Sequence, residues 1–308
     1  ETGAVREVHH FALLAGYGAQ AIHPWLAFDS IAAIADQLPN KATAYDAQKN
    51  YVKAINKGLR QATGEIVAWL NSDDLYYRSD VVSRAVAALG SSPEVGLVYG
   101  DGVMVDGSGR LLDWHRYRQY RLRDLLGFKV LLQPAVFLRK SVLEHVGYLR
   151  ENLNLILDHE LWIRVASQYP IQHVGEYWAV ERTHLEAKTI AQAAAFVEEA
   201  FQLTGRLEAE EPYSKEFQSQ RAMILADLGI FAGRRLIDAG QFAKALAHFQ
   251  RALAFSPISV IRVWYKVVQA AAGALGLGGA FLTYRRLRRA LSHRGRRLVV
   301  DQEGVRWA

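Results

Sequence analysis

An apolar run followed at once by a cluster of polar oxygens constrains this chain more than any other feature. The run is EIVAWL, Glu65 to Leu70, bounded by Gly64 and by the polar NSDD. A continuous apolar run of this length between turn residues is typical of a buried strand in a parallel sheet. Strand and helix patterns then alternate to about Ile190. The sequence therefore predicts an α/β domain.

The polar cluster after the run is a candidate site for a metal and a diphosphate. Asn71, Ser72, Asp73 and Asp74 come directly after the predicted strand. Ligands of open α/β sheets bind at the carboxyl ends of strands, where the loops diverge. Adjacent carboxylates with amide and hydroxyl oxygens suit Mg²⁺ or Mn²⁺. The alternative that the pattern leaves open is a turn rich in Asx residues.

Two later segments add groups that chemistry at such a site needs. LDHELW places Asp158 at the start of an amphipathic helix, where it is either a general base or only the N-cap. VERTHLEAKT places Arg182, His184 and Lys188 at and after a strand end. Cationic groups there can hold a diphosphate, and His184 can bind a metal. The alternative for this segment is a surface cluster of mixed charge.

Composition excludes several classes of site. The chain has no cysteine, which excludes disulfides, thiolate zinc sites, iron–sulfur clusters and cysteine nucleophiles. The net charge of +6 comes from one segment, because seven arginines lie in the stretch from Arg285 to Arg297, which contains no acid. The rest of the chain is nearly neutral, so we predict no nucleic-acid partner.

From about Ile190 the pattern is helical. GQFAKALAHFQRALAFSP has the spacing of half a tetratricopeptide repeat, but one unit favours a helical hairpin packed on the main domain. Val267 to Tyr284 is uncharged and precedes the arginines, yet it is short for a membrane span of roughly 20 residues. The sequence leaves two interpretations open, a helix lying on an anionic membrane surface and a buried terminal helix.

In combination, these segments resemble family 2 glycosyltransferases of the GT-A fold. The resemblance runs through AINKGLRQATGEIVAWLNSDDLY, VYGDG, QPAVFLRKSVLEHVGYL, LDHELWIRVA and RTHLEAKT, over roughly Ala54 to Thr189. It implies an incomplete GT-A sheet, followed by an all-helical C-terminal region. The implied reaction is the inverting transfer of a sugar from a nucleotide-sugar donor, usually a uridine diphosphate sugar, to a hydroxyl of a glycan or lipid-linked acceptor. The implied location is cytoplasmic, with peripheral contact to the inner membrane face.

The resemblance also implies roles for residues. The metal and diphosphate position of the family falls on Asp73, with Asn71 and Asp74 nearby, and implies Mn²⁺ or Mg²⁺. The catalytic base falls on Asp158. The late arginine and histidine fall on Arg182 and His184, with Lys188 beyond them, and His184 is the second expected metal ligand.

The N-terminal segment resembles a different family. REVHHFALLAGYGAQAIHPWLAFDSI and YDAQKNYVKAINKGL look like the end of the central domain of the glutamate synthase large subunit, over about Glu1 to Leu59. AINKGL fits both families, which predicts a chimera joined near Ala54 to Leu59 by recombination or in assembly of the sequence. We expect a fragment that begins at Glu1, with a glutamate synthase-like part at 1–57, a catalytic part at 58–190 and a helical part at 191–308.

A junction at this place has consequences. The first strands of the glycosyltransferase, which hold the base and ribose of the donor, have no counterpart in residues 1–53. We therefore expect an exposed sheet edge, a poorly packed seam, low stability and little or no turnover. The alternatives are a fragment of the amidotransferase and flavoenzyme lineage, whose flavin and cluster segments are missing, and a membrane-surface interaction protein.

Overall fold

The computed structural model of the chain describes residues 44–70, 74–153, 155–183, 192–279, 296–301 and 304–307. Most of the glutamate synthase-like segment lies outside these ranges. So do four of the predicted site residues, Asn71, Asp73, His184 and Lys188. The predicted α/β class is confirmed, since strands and helices alternate up to residue 183 and helices follow from residue 193.

Six strands form one mixed sheet in the order β1–β5–β3–β6–β2, with β4 beside β3. The strands are β1 Ile66–Val67, β2 Leu75–Tyr76, β3 Leu97–Asp106, β4 Leu111–His115, β5 Val136–Arg139 and β6 Ile171–Thr183. The pair β3–β6 is parallel, and the other pairs of this sheet are antiparallel.

The EIVAWL run does not form a strand of a parallel pair, so that prediction is wrong. Only Ile66 and Val67 are in β1, which pairs antiparallel with β5 and is an edge strand in the described part of the sheet. The rest of the run leaves the sheet, because Trp69 stacks on Trp162 with ring centroids 5.2 Å apart. The run is apolar because it packs on helices, a role that apolar content alone does not separate from a strand.

Two glycines in VYGDG bring the neighbouring segments close to the central strand β3. A Cβ atom at Gly100 would lie 2.4 Å from Cγ of Trp178 on β6. A Cβ atom at Gly102 would lie 2.1 Å from Cδ2 of Leu132, in the segment before β5. Glycine is therefore required at Gly100, whereas a side chain at Gly102 would have to displace the end of the flexible Leu132 side chain.

The first described helix, α1 Ala44–Gln61, crosses the predicted junction and packs into the main core. Val52, Asn56 and Leu59 lie on one face of α1, and all three are buried. The amide of Asn56 donates to the carbonyl of Leu149 at 2.8 Å and accepts from its N–H at 3.1 Å. Helix α1 is therefore packed in the described residues, whereas the expected seam of residues 1–43 lies outside them.

The remaining helices cover the sheet and then extend the core. They are α2 Val81–Ser91, α3 Leu122–Leu126, α4 Lys140–Val146, α5 Leu157–Gln168, α6 Ala193–Ala209, α7 Tyr213–Asp238, α8 Phe242–Phe255, α9 Pro257–Ile261 and α10 Trp264–Ala272. Phe196 of α6 and Phe217 and Phe231 of α7 belong to the same buried cluster as Trp162 of α5. Because α6 and α7 share this core, they can place side chains beside the sheet.

The C-terminal region is not entirely helical, which corrects the sequence prediction. β7 Leu298–Asp301 and β8 Gly304–Trp307 form an antiparallel hairpin. The N–H of Leu298 donates to the carbonyl of Gly109 at 2.8 Å, and the indole of Trp307 donates to the hydroxyl of Tyr77 at 3.1 Å. Two short β-branched stretches after a run of arginines are too brief to stand out from a helical pattern, and contact with β4 and the β3–β4 turn stabilises them.

Candidate active site

Asp158 lies in the first turn of α5 and is partly buried. Helix α5 begins after Ile156, and no side chain caps it, so the N-cap alternative for Asp158 is wrong. Loss of solvation raises the pKa of Asp158 to about 6, while the backbone N–H groups of Asp158 and His159 and the charge of Arg235 act in the opposite direction. A carboxylate with a raised pKa is a suitable proton acceptor near neutral pH.

A buried ion-pair network fixes helix α5. Glu160, two residues from Asp158, faces the core and accepts from Arg164 at 2.8 Å and from Arg150 at 2.7 Å. Arg164 also donates to the three carbonyls of residues 146–148 at 2.6 to 2.8 Å. Glu160 therefore has a structural role. Asp158 lies on a different face of the helix and is less buried than Glu160.

A strained residue packs beside the start of α5. Phe128 has a φ of 57°, in the left-handed region that a bulky side chain rarely adopts. Its ring lies 4.5 Å from the ring of His159 and 5.1 Å from that of Phe231. Burial lowers the pKa of His159 to about 4, and its Nε2 bonds the carbonyl of Leu125, so this histidine is neutral at physiological pH. Backbone strain of this kind clusters at functional sites.

Arg235, near the end of α7, contacts the aromatic cluster beside the start of α5. Its guanidinium carbon lies 5.2 Å from the ring centroid of Phe196 and 5.5 Å from that of Phe231. Burial lowers the pKa of Arg235, whereas the carboxylates of Glu181 and Asp158 raise it. The charge of Arg235 therefore interacts both with a carboxylate of β6 and with the proposed base on α5.

The charges of Arg235 and Glu181 also act on polar groups of β4 and of the loop that follows it. The Nε2 atom of His115 is buried without a hydrogen-bond partner among the described residues. Burial lowers the pKa of His115, and the charges of Arg234 and Arg235 add to this effect. Burial also raises the pKa of Tyr117, with Glu181 among the smaller causes.

Asp74 and Arg182, which the sequence predicts in one site, lie together in the structure. The backbone N–H of Arg182 donates to Oδ1 of Asp74 at 3.3 Å, and the guanidinium of Arg182 donates to the carbonyl of Gly107 at 3.4 Å. Asp74 is only 3% exposed. Glu181, the neighbour of Arg182 on β6, is one of three carboxylates whose charges act on Arg235, together with Asp238 and Asp158. The charges at this edge of the sheet therefore act on Arg235 of α7, and the charge of Arg235 acts in turn on Asp158 of α5.

Sequence reasoning missed Glu181, Arg235 and Phe128. Glu181 could be found, because it alternates with Arg182 along a strand and such neighbours point to opposite faces. Arg235 gave a weaker signal, as one of two adjacent arginines late in a long helix. The strain at Phe128 has no signal in the sequence.

Two parts of this chain are similar to different families. Residues 1–66 match the family model of the glutamate synthase central domain. The glutamate synthase [NADPH] large chain of Bacillus subtilis is 42% identical over 59 residues, which are 19% of this chain and 4% of that protein. The match ends inside β1, a few residues past the predicted limit at Leu59.

A longer stretch matches another class of protein. The PGL/p-HBAD biosynthesis glycosyltransferase of Mycobacterium bovis is 27% identical over 122 residues, which are 40% of this chain and 46% of that protein. By sequence, this chain is similar to glycosyltransferases. It spans less than half the length of that relative.

One solved structure with a related arrangement is a mannosyltransferase from Pyrobaculum calidifontis in complex with GDP-Man and Mn²⁺. It is 22% identical, with 79% of this chain and 64% of that chain covered and a TM-score of 0.43.

Proposed function

We propose that residues 58–190, with α6 and α7, are the catalytic part of an inverting glycosyltransferase that uses a nucleotide-sugar. The observation that carries the proposal is Asp158, a carboxylate with a raised pKa at the start of a rigidly held helix, on which the charge of Arg235 acts. The similarity of the chain to glycosyltransferases supports this chemistry. Residues 1–57 are a glutamate synthase-like part, and the proposed junction near Ala54 to Leu59 lies within α1.

Asp158 acts as the general base in this proposal. The proton of the acceptor hydroxyl passes to its carboxylate as the acceptor oxygen forms a bond to the anomeric carbon of the sugar. The bond from that carbon to the diphosphate breaks on the opposite side, so the configuration inverts. A base with a pKa of about 6 is mostly ionised at neutral pH and still accepts a proton readily.

The diphosphate lies at the edge formed by Asp74 and Arg182, with Asn71 and Lys188 contributing. Asp73 and His184 are the ligands for Mn²⁺ or Mg²⁺, and their carboxylate and imidazole donors suit such an ion. The described residues contain no group of three or more metal-type side chains, so this ligand set rests on the sequence. When bound, the cation neutralises charge on the leaving diphosphate.

Donor and acceptor follow from the same resemblance. We propose a uridine diphosphate sugar as donor and a glycan or lipid-linked acceptor, with the reaction on the cytoplasmic side of a membrane. Because the strands that hold the nucleoside have no counterpart in residues 1–53, donor affinity and turnover are low in this chain.

Binding of uridine diphosphate tests the proposal without turnover. We expect isothermal titration to detect binding that requires Mn²⁺, and Asp73→Asn to weaken it at least about tenfold by removing a metal ligand. Asp113→Asn, an exposed aspartate on β4, is the matched control and should bind as the parent chain does. Binding that is independent of both Mn²⁺ and Asp73 would contradict the proposed metal site.

Arg235 is a positioning residue for Asp158. Arg235→Met keeps the contact with Phe196 and Phe231 but removes the charge, so the pKa of Asp158 should rise further and transfer at neutral pH should fall roughly tenfold. The acidic limb of the pH–rate profile should move to higher pH, and Arg235→Lys should restore much of both. Loss of rate with an unmoved pH profile in both variants would mean that Arg235 only supports packing.

A further inference from the structure

Large apolar side chains are exposed in one part of the chain. Among the described residues, nine of the twelve large hydrophobic side chains that are exposed lie between residues 253 and 277. We call these nine the apolar surface. They are Leu253, Phe255, Ile258, Ile261, Trp264, Tyr265, Val268, Leu275 and Leu277. Isolated exposed hydrophobic residues are ordinary, but a concentration of this kind marks an interaction site.

The apolar surface is not needed to fold the helices that carry it. Val260 and Ala270, on the same helices α9 and α10, are buried against α7 and α8. On the outer side, Ile258, Ile261 and Trp264 keep 63 to 65% of their surface exposed. These helices are therefore apolar on both sides, and only the inner side has a partner among the described residues.

The sequence that carries and follows the apolar surface has charges of one sign. The sequence has no acid between Asp238 and Asp301, but it has two lysines and nine arginines there. Arg262 is exposed between Ile261 and Trp264, and Lys266 follows one turn later. Between residues 253 and 277 the charged side chains are Arg262 and Lys266, and this favours a partner that is apolar and negatively charged.

We propose that the apolar surface docks on an anionic lipid bilayer and lies at its interface. Tryptophan and tyrosine beside basic residues are typical of side chains at the boundary between headgroups and acyl chains. Gly276, with a φ of 86°, lets the chain turn so that the flanking Leu275 and Leu277 project. No described helix has the length and apolarity to cross a bilayer.

This surface differs from the uncharged stretch that stands out in the sequence. That stretch begins at Val267, whereas the exposed side chains begin at Leu253 and include three aromatic residues that precede Val267. Docking does not depend on the proposed transferase activity, and a chain without turnover should still bind lipid.

Sedimentation with vesicles tests the docking. The full chain is mixed with phosphatidylcholine vesicles, with and without phosphatidylglycerol, at low and high salt. The double variant Ile261→Ser with Trp264→Ser should bind phosphatidylglycerol vesicles about tenfold more weakly or worse, at both salt concentrations. Arg262→Glu should weaken binding about fivefold, mainly at low salt. Val86→Ser, an exposed apolar residue of α2, is the matched control and should bind as the parent chain does.

The variants distinguish docking through the apolar surface from binding by the arginines alone and from self-association. Because the replaced side chains are exposed in the parent chain, the circular dichroism spectra of the variants should equal the spectrum of the parent chain. Equal binding by the double variant would overturn the proposal, since the arginines beyond residue 284 would then suffice. So would absence of binding to phosphatidylglycerol vesicles. A parent dimer that the double variant converts to a monomer, without a change in lipid binding, would assign the surface to a second copy and also overturn it.

Discussion

Replacing Asp158 with Asn is expected to remove transfer and, at the same time, to stabilise the fold at neutral pH. The loss of the proton acceptor should lower the transfer rate by about 10² to 10⁴. The gain in stability follows from the pKa of Asp158, which is raised from 3.8 to about 6. Because the folded chain holds the proton more tightly, ionisation of Asp158 weakens the fold as the pH rises from about 4 to about 6.

The difference in stability between variant and parent therefore has a defined pH window. It should be near zero below about pH 4, grow up to about pH 6, and stay constant above, at about 3 kcal/mol for a shift of two units. Urea unfolding at a series of pH values measures it. This measurement needs no turnover, so it applies even if the chain is inactive. Asp113→Asn controls for removing one carboxylate from the surface.

Two outcomes would count against the role of Asp158. Retained transfer in Asp158→Asn would assign the base elsewhere, with Glu181 as the next carboxylate to replace. A variant that is less stable than the parent at neutral pH would mean that Asp158 makes a favourable ionised contact. A structural carboxylate gives that loss of stability, whereas a base kept in a partly desolvated site gives the expected gain.

The sequence predicts much of the fold where a pattern is local. The hairpin of β3 and β4 turns at Gly107 to Gly109, as GSG predicts, and Gly109 has a φ of 80°. Helix α5 runs from Leu157 and stops before Pro170, as its periodicity indicates. The prediction of a parallel strand at residues 65–70 fails because helices bury part of this run, and a local sequence pattern contains no information on such contacts.

The candidate site likewise contains residues that the sequence predicts and residues that it does not. Asp158, Asp74 and Arg182 are recognisable because each lies in a motif at the end of an element. Arg235 is not, because its place depends on how α7 packs against α6 and the segment after α3, and Arg235 comes 77 residues after Asp158 in the chain. The same dependence explains why the C-terminal hairpin escapes prediction, since it is held by contacts to the β3–β4 turn.

Asn56→Ala is expected to destabilise the chain by about 2–4 kcal/mol. Asn56 is 1% exposed, and its amide pairs with both backbone groups of Leu149, 93 residues away. Alanine would leave a buried N–H and a buried carbonyl without partners, and each such loss costs roughly 1–3 kcal/mol. Alanine also favours helix, so the effect cannot come from helix propensity. The midpoint of urea unfolding, at unchanged slope, measures the change.

Lys57→Ala is the matched control, because it changes the next residue of the same helix on its exposed side. If Asn56→Ala costs no more than Lys57→Ala, helix α1 is not docked, and the chain is two families joined without a common core. If the expected loss is found in one cooperative transition, α1 belongs to the fold of the catalytic part although the glutamate synthase model extends over it. The proposed junction then lies within a helix that meets the packing requirements of its new neighbours, since Val52 and Leu59 are buried beside Asn56.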